Sequence, residues 1–523
     1  MQSALGNVDI IVLLLAVGSS IFIGLKVAGK EQSLENYLLG GRDLPWWAIL
    51  GSIVATETST ATVLSVPGHG FGNTGFLFLQ LALGFILGRI IVVIFLLPQF
   101  FDGKLISAYE ILGIRFGTTT KRIASVLFLV TRNLGDGLRL FLAAMVLEKL
   151  VGWPLAWSAI AIGSVTILYT FLGGMRSVVW NDCIQFLIYM AGSITAVFVI
   201  IDQLPGGWAG FLEYANTSGK WKLIDPRFSI SDPFTLWAGL LGGAVLSMGS
   251  HGTDQMMVQR YLSARSQSDA AKAILWSGVI VFLQFSLFLF IGMLLGCFYQ
   301  SNLLPEGTKP DQVFAHFIIH SFPANTGLVG LMLAAILAAV MSTLSSSLSA
   351  SASSVVSDLW LSNLTKTPSQ HSQVTVTRIA TVFFGILQIG IGIWAGTFAR
   401  SVVDNALTIA GFSTGILLGW FSLALLTQKR SQRAAIFGGA VGLAVLLLLQ
   451  FGLPLQQFGL PQWNVTIAFP WLPVFGSLAT LLSGLLLNAL LPCDSRTSVS
   501  LPVDNCTDQF APSNAPTSQS PEP

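Results

Sequence analysis

The chain has 523 residues, 53% of them hydrophobic and 10% charged, with a formal net charge of +2 and a mean hydropathy of +0.73. A water-facing surface needs roughly 25% charged residues, so this composition excludes a soluble globular protein and makes lipid the main partner of the surface. The near-neutral balance excludes nucleic acid as a partner, and the four cysteines, Cys183, Cys297, Cys493 and Cys506, have neither disulfide nor metal spacing.

The N-terminal apolar run has no basic segment before it and is long enough to span, so it reads as a retained first helix. Spans of about 20 apolar residues fall near 8–28, 46–70, 74–100, 123–148, 155–172, 178–202, 233–256, 272–298, 323–352, 376–398, 405–427, 434–452 and 467–491. The expected fold class is therefore all-α and polytopic, with about thirteen transmembrane helices. With the N-terminus outside, 17 of the 26 Lys and Arg residues fall in inside loops and six in outside loops, which predicts an external N-terminus and a cytoplasmic C-terminus in a cell membrane. Residues 1–491 form one transmembrane domain. The tail, 492–523, is rich in Pro, Ser, Asn and Thr and is expected to be disordered and cytoplasmic.

The second span reads WWAILGSIVATETSTATVLSVPGHGF, with Thr56, Glu57, Thr58, Ser59, Thr60 and Thr62 at mid-membrane. Hydroxyl-bearing and β-branched residues weaken a helix, and a broken helix frees carbonyls that hold cations. A continuous helix with polar packing contacts is the bland alternative, against which Glu57 is costly. In the fourth span, TRNLGDGLRLF places Arg132, Asp136 and Arg139 on one face. This triad is either a structural ion cluster or, having one surplus positive charge, a grip for a carboxylate or a partner for Glu57. Asp182 opens the sixth span; it attracts a cation or pairs with a nearby Arg such as Arg176.

The seventh span turns polar in SMGSHGTDQ, 247–255, where Ser247, Ser250, His251 and Asp254 interrupt it. Interrupted spans five apart point to an inverted repeat with a midplane site. In the ninth span Ser342, Thr343, Ser345 and Ser346 cluster within about one turn. Tight packing explains many of these serines, yet their oxygens also suit a hard cation. His316 and His320 lack a third zinc ligand, and no P-loop, HExxH or GxSxG occurs.

The ordered segments YLLGGRDLPWWAILGSIVATETSTATVLSVPG (37–68), YTFLGGMRSVVWNDCIQ (169–185), DQMMVQRYLSARSQSDAAKA (254–273) and LAAVMSTLSSSLSASASSVVSDLW (337–360) resemble the sodium/solute symporter family. The resemblance covers roughly residues 8–490. It implies a LeuT-type core of two inverted five-helix repeats, about 46–427, broken in spans 2 and 7 near 56–59 and 247–251. It implies sodium as the coupling ion, held by the carbonyls of Ala55, Thr58 and Ala339 and the hydroxyls of Ser342 and Thr343. The second sodium of some relatives falls on Asp182, Ser342, Ser345 and Ser346. The resemblance also implies that substrate faces Ser59, Thr62, Arg139, Ser247, Ser250 and His251. Sugar-carrying relatives have amides and aromatics at several of these places, where this chain has Thr62, Ser247, Ser250 and His251, which speaks against a sugar; Arg132 and Arg139, with the net positive triad, make a carboxylate-bearing organic acid or amino acid the expected small-molecule solute.

The function expected is sodium-coupled symport by alternating access, not enzymatic catalysis. A proton-coupled carrier using Glu57, Asp182 or His251, a neutral-solute carrier, a receptor on a transporter core and an intramembrane enzyme are the alternatives. Oligomeric state is not encoded in these patterns.

Overall fold

The computed structural model describes residues 5–27, 33–103, 105–323, 325–398, 400–427, 431–452 and 466–490. The expected tail at 492–523 lies outside these. Among the described residues the chain is helical, apart from connecting loops and one isolated bridge between Leu44 and Ala264. The helices are α1 (Asn7–Val27), α2 (Leu34–Leu39), α3 (Trp46–Glu57), α4 (Thr60–Phe71), α5 (Leu79–Ile91), α6 (Leu97–Phe101), α7 (Glu110–Phe116), α8 (Thr118–Val151), α9 (Leu155–Asp202) and α10 (Gly207–Thr217). They continue with α11 (Gly243–Gly252), α12 (Gln255–Leu262), α13 (Gln267–Phe298), α14 (Val313–His320), α15 (Leu328–Ser354), α16 (Gln370–Ala395), α17 (Arg400–Leu426), α18 (Gln432–Phe451) and α19 (Trp471–Leu490).

Each of the thirteen expected spans has a helical counterpart, but their lengths and polarity differ. Among the described residues, eight helices are long and apolar enough to cross a bilayer, or nine when the bent pair α3 and α4 counts as one span. One of the eight, α9, has 48 residues and is broken at Gly174 (φ 53°, ψ −152°). A helix of that length extends about 72 Å, more than twice the roughly 30 Å hydrocarbon layer. The stretch therefore reads as two crossings joined without a loop. A Cβ at Gly174 would lie 2.5 Å from the Tyr37 carbonyl oxygen, so glycine is required there on both conformational and steric grounds. The loops expected outside are partly ordered: α10 lies within 204–232, and α14 within 299–322.

α15 runs through the centre, and nearly every residue along it is buried. Its N-terminus is capped from another element. Asp9 of α1 accepts hydrogen bonds from the Gly327 amide at 2.9 Å and the Asn325 amide at 3.0 Å, placing a carboxylate at the positive end of the helix dipole. α1 itself is peripheral, exposing Ile11, Leu14, Leu15 and Phe22, as suits a lipid-facing helix outside the core.

The second span breaks where the sequence is richest in hydroxyls. α3 ends at Glu57, Thr58 and Ser59 are extended, and α4 starts at Thr60, with Ser59 Oγ accepting from the Thr62 amide at 3.4 Å. Ser59 is thus an N-cap, and the segments Trp46–Glu57 and Thr62–Phe71 meet at 65°. The seventh span breaks as well, but later than the expected 247–251. α11 continues through Gly252, and the break falls at Thr253 and Asp254. Asp254 is extended and its carboxylate accepts from the Met256 amide at 2.8 Å, capping α12. The polar residues before it are accommodated within a helical turn, with Thr253 Oγ1 bonded back to the Gly249 carbonyl at 2.7 Å.

Candidate functional site

The break between α3 and α4 lies against the middle of α15. Ser342 Oγ donates to the Ala55 carbonyl at 2.9 Å and lies 3.1 Å from the Ala339 carbonyl. Thr343 Oγ1 lies 3.2 Å from both the Thr56 and the Ala339 carbonyls. Four of the five residues expected to hold sodium, Ala55, Ala339, Ser342 and Thr343, therefore meet at one buried point. Thr58 is one turn on: its hydroxyl bonds back to Val54 and accepts from Gln284 at 2.7 Å and from Tyr189 at 3.3 Å. The Thr56 carbonyl, absent from the expected set, reaches Thr343. Neutral hydroxyl and carbonyl oxygens of this kind are the donor set a hard monovalent cation takes.

One turn further along α15 the residues expected for a second sodium meet a different cation. Arg260 of α12, with a side chain 1% exposed, lies among α3, α9 and α15. Its Nη2 donates to Asp182 Oδ2 at 3.0 Å, to Thr56 Oγ1 at 2.5 Å and to Ser346 Oγ, and its Nε donates to Ser52 Oγ at 2.8 Å. Ser52 also donates to Asp182 at 2.6 Å. Ser345 instead bonds back to the Ser342 carbonyl at 3.1 Å. Arg176, the partner weighed for Asp182, reaches Gly40 and Asp43 instead.

The Arg132, Asp136 and Arg139 cluster forms as its spacing predicts, with Arg132 Nε 2.6 Å and Arg139 Nη1 2.5 Å from Asp136. Its surplus charge does not persist: Asp254, at the break in the seventh span, lies 3.5 Å from Arg132 and balances the cluster. Nor does the cluster neutralise Glu57. That role belongs to Arg89 of α5, which donates to Glu57 Oε2 and, through Nε, to Ser277 at 3.0 Å. Spacing could not reveal either long-range partner; the only signal was that Arg89, in the middle of an apolar span, needed a counter-charge.

The residues expected to face substrate do not line one common cavity. Arg139 lines a cavity of about 120 Å³ together with Arg132, Gly249, Thr253, Asp254 and Thr414. Ser250 bonds His251 Nδ1 at 3.0 Å, while His251 Nε2 lies 3.7 Å from Glu57, placing both on the Glu57 side. Ser247 is turned onto the Phe85 carbonyl of α5 at 3.0 Å. Ser59 and Thr62 stay together at the start of α4, their hydroxyls 3.4 Å apart. A larger cavity of about 280 Å³ opens between α4, α8 and α14, lined by Thr60, Leu64, Lys149, Asp311, His316 and His320.

This architecture, two broken helices five spans apart with paired oxygens across one break, defines a secondary transporter. Residues 37–442 match the model of the sodium:solute symporter family, and the chain belongs to that family. Among relatives, the human sodium/iodide cotransporter is 27% identical over 445 residues, covering 84% of this chain and 69% of that protein. A sodium/sialic acid symporter of Aliivibrio fischeri is 27% identical over 462 residues, covering 87% of this chain and 90% of its own. The human sodium-coupled monocarboxylate transporter 1 is 27% identical over 456 residues, covering 86% and 74%. In structure the chain is similar to a substrate-bound, outward-open sodium-coupled sialic acid symporter, with a TM-score of 0.82 at 24% identity, over 93% of this chain and 99% of that one. The fold is therefore the inverted-repeat transporter core expected from the sequence, in a multi-pass membrane protein that works as a sodium-coupled transporter and not as an enzyme.

Proposed function

We propose that this chain carries a small carboxylate-bearing solute, an organic acid or amino acid, into the cell together with sodium by alternating access. In this reading the N-terminus is outside and the 280 Å³ cavity is the outer vestibule. The observation that carries it is the contact of Ser342 and Thr343 with the Ala55, Thr56 and Ala339 carbonyls, at 2.9–3.2 Å, across the break in the second span. Sodium held there joins the mobile broken helix to α15, so that filling the site favours one arrangement of the two over the other.

Three things support an anionic solute. Arg139 is the more exposed arginine of its cluster, at 34%, and lines the smaller cavity. A guanidinium grips a carboxylate bidentately. The relatives named above carry iodide, sialic acid and monocarboxylates. Proton coupling is a second reading, favoured by the approach of His251 to Glu57. The test is uptake into liposomes holding the purified chain, with a panel of monocarboxylates, amino acids and neutral sugars. Sodium-driven accumulation of a carboxylate at fixed pH is expected. Accumulation driven by a proton gradient without sodium selects the second reading, and transport of sugars alone overturns the solute assignment.

A further inference from the structure

The 120 Å³ cavity that Arg139 lines has an apolar neighbour. A chamber of about 200 Å³ lies between α11, α17, α18 and α19, lined by Leu246, Phe412, Leu446, Phe469 and Leu472. The two spaces meet at α17, where Gly411 and Thr414 line both. Their other walls differ in kind. One presents guanidinium, carboxylate and hydroxyl groups from Arg132, Arg139, Asp254 and Thr131. The other presents mostly aliphatic and aromatic carbon.

The wall between them changes within one turn. At Thr414 it is closed: a Cβ on Gly249 of α11 would lie 2.2 Å from the Thr414 methyl group, so α11 and α17 touch there. At Gly411 it is bare, since a Cβ added there meets nothing within 4 Å among the described residues. Neither close packing nor a positive φ calls for glycine at this position, although glycine inside a helix is destabilising relative to alanine. Gly415, one turn on, is different, because its Cβ would lie 3.2 Å from the Pro473 carbonyl oxygen of α19. Gly411 therefore marks an opening and not a contact.

We infer that the two chambers make one bipartite site, in which the solute's carboxylate is held at Arg139 and an unbranched apolar chain passes Gly411 into the chamber beside α19. The inference deepens the carboxylate reading and rests on it. The continuity of the two linings at Gly411 selects the solute's own tail as the occupant: a chain anchored by its carboxylate reaches apolar carbon without crossing another helix. Burial of that chain favours longer acids over shorter ones. It also gives α18 and α19, which follow the two repeats, a part in solute choice, because Leu446 and Leu472 come from them and Phe469 adjoins α19.

The test is sodium-dependent binding of acetate, butyrate, hexanoate and octanoate to the purified full-length chain, by isothermal titration calorimetry. Choline in place of sodium is the blank for partition into detergent micelles. In the wild type, affinity is expected to rise about fourfold per methylene from acetate to hexanoate, the factor that corresponds to about 0.8 kcal/mol per buried CH₂. In Gly411→Leu, whose side chain would fill the opening, hexanoate should bind at most about threefold better than acetate. Phe469 is 47% exposed, so Phe469→Ser spares the core; it should cut the hexanoate-to-acetate ratio about fivefold or more. A wild type that binds acetate without gaining from chain length overturns the inference and leaves the carboxylate reading standing; that result is expected if a bilayer lipid fills the apolar chamber. A gain that Gly411→Leu leaves intact also overturns it, since the chain then lies elsewhere. Should that variant fail to fold, Phe469→Ser decides in the same way. Binding of none of the four acids overturns the inference too, and the liposome panel then judges the carboxylate reading by itself.

Discussion

Arg89 of α5 donates to the carboxylate of Glu57 at the last turn of α3, so the residue at the edge of the break is neutralised from a neighbouring helix. The arginine is fully buried and the carboxylate 20% exposed. Removing one partner of such a pair strands the other charge, which costs about 3 kcal/mol or more. Arg89→Gln should lower the unfolding temperature of the detergent-solubilised protein markedly. Glu57→Gln combined with Arg89→Gln should recover most of that loss. Additive losses in the double mutant would show that the two residues act independently.

Ser342→Ala and Thr343→Ala each remove one hydroxyl from the oxygens at the α3 break while leaving a small side chain in a tightly packed helix. Apparent sodium affinity should fall about tenfold or more, equivalent to about 1.4 kcal/mol. The measurement is sodium-dependent stabilisation or uptake, with expression level as the control for folding. Unchanged sodium dependence in both would refute the assignment.

Within the smaller cavity Arg139 and Asp254 are expected to act in opposite directions. Arg139→Gln removes the cation that faces a carboxylate, so the solute KM should rise about tenfold. Asp254→Asn removes the acid that competes for Arg132, 3.5 Å away, so the KM for an anionic solute should fall or stay constant. Equal losses in both variants would point to a purely structural cluster.

Two glycines set the seam between α4 and α13. A Cβ at Gly292 would lie 1.9 Å from the Pro67 carbonyl oxygen, and one at Gly70 would lie 2.1 Å from the Leu289 carbonyl oxygen. Gly292→Ala should force the helices apart and destabilise the protein by about 1–3 kcal/mol. Gly390→Ala is the control, since a Cβ there meets nothing within 4 Å. Comparable thermal stability of the two variants would argue against close approach at this seam.

The helical segments, both interrupted spans and the hydroxyl cluster of α15 were legible because each is a local pattern of polarity along one stretch of chain. The exact break in the seventh span was not. Ser247, Ser250 and His251 look disruptive in sequence, yet they bond to helix backbone or to one another. Asp254, read as one more polar residue, is the N-cap that starts α12. The charge pairs escaped for another reason. Arg89 and Glu57 are 32 positions apart, and Arg260 and Asp182 are 78 apart. No periodicity links such residues; only the packing of separate helices brings them together. Arg260 falls between the expected seventh and eighth spans, 233–256 and 272–298, because α12 is short and polar for a membrane segment.

The serines of α15 have one more consequence. Ser345 and Ser346 both donate to the Ser342 carbonyl, and Ser357, just past the end of α15, returns to Ser353 in the same way. A hydroxyl satisfied by its own helix does not depend on its neighbour for a partner, and it can exchange acceptors by a simple rotation. Other α15 hydroxyls are held from outside: Ser347, Ser349, Ser351 and Ser353 accept from Gln388, Gln259, Asn133 and Gln255 at 3.0–3.1 Å. A neighbouring helix that shifts along α15 has to break and remake these bonds, whereas Ser345 needs no new partner.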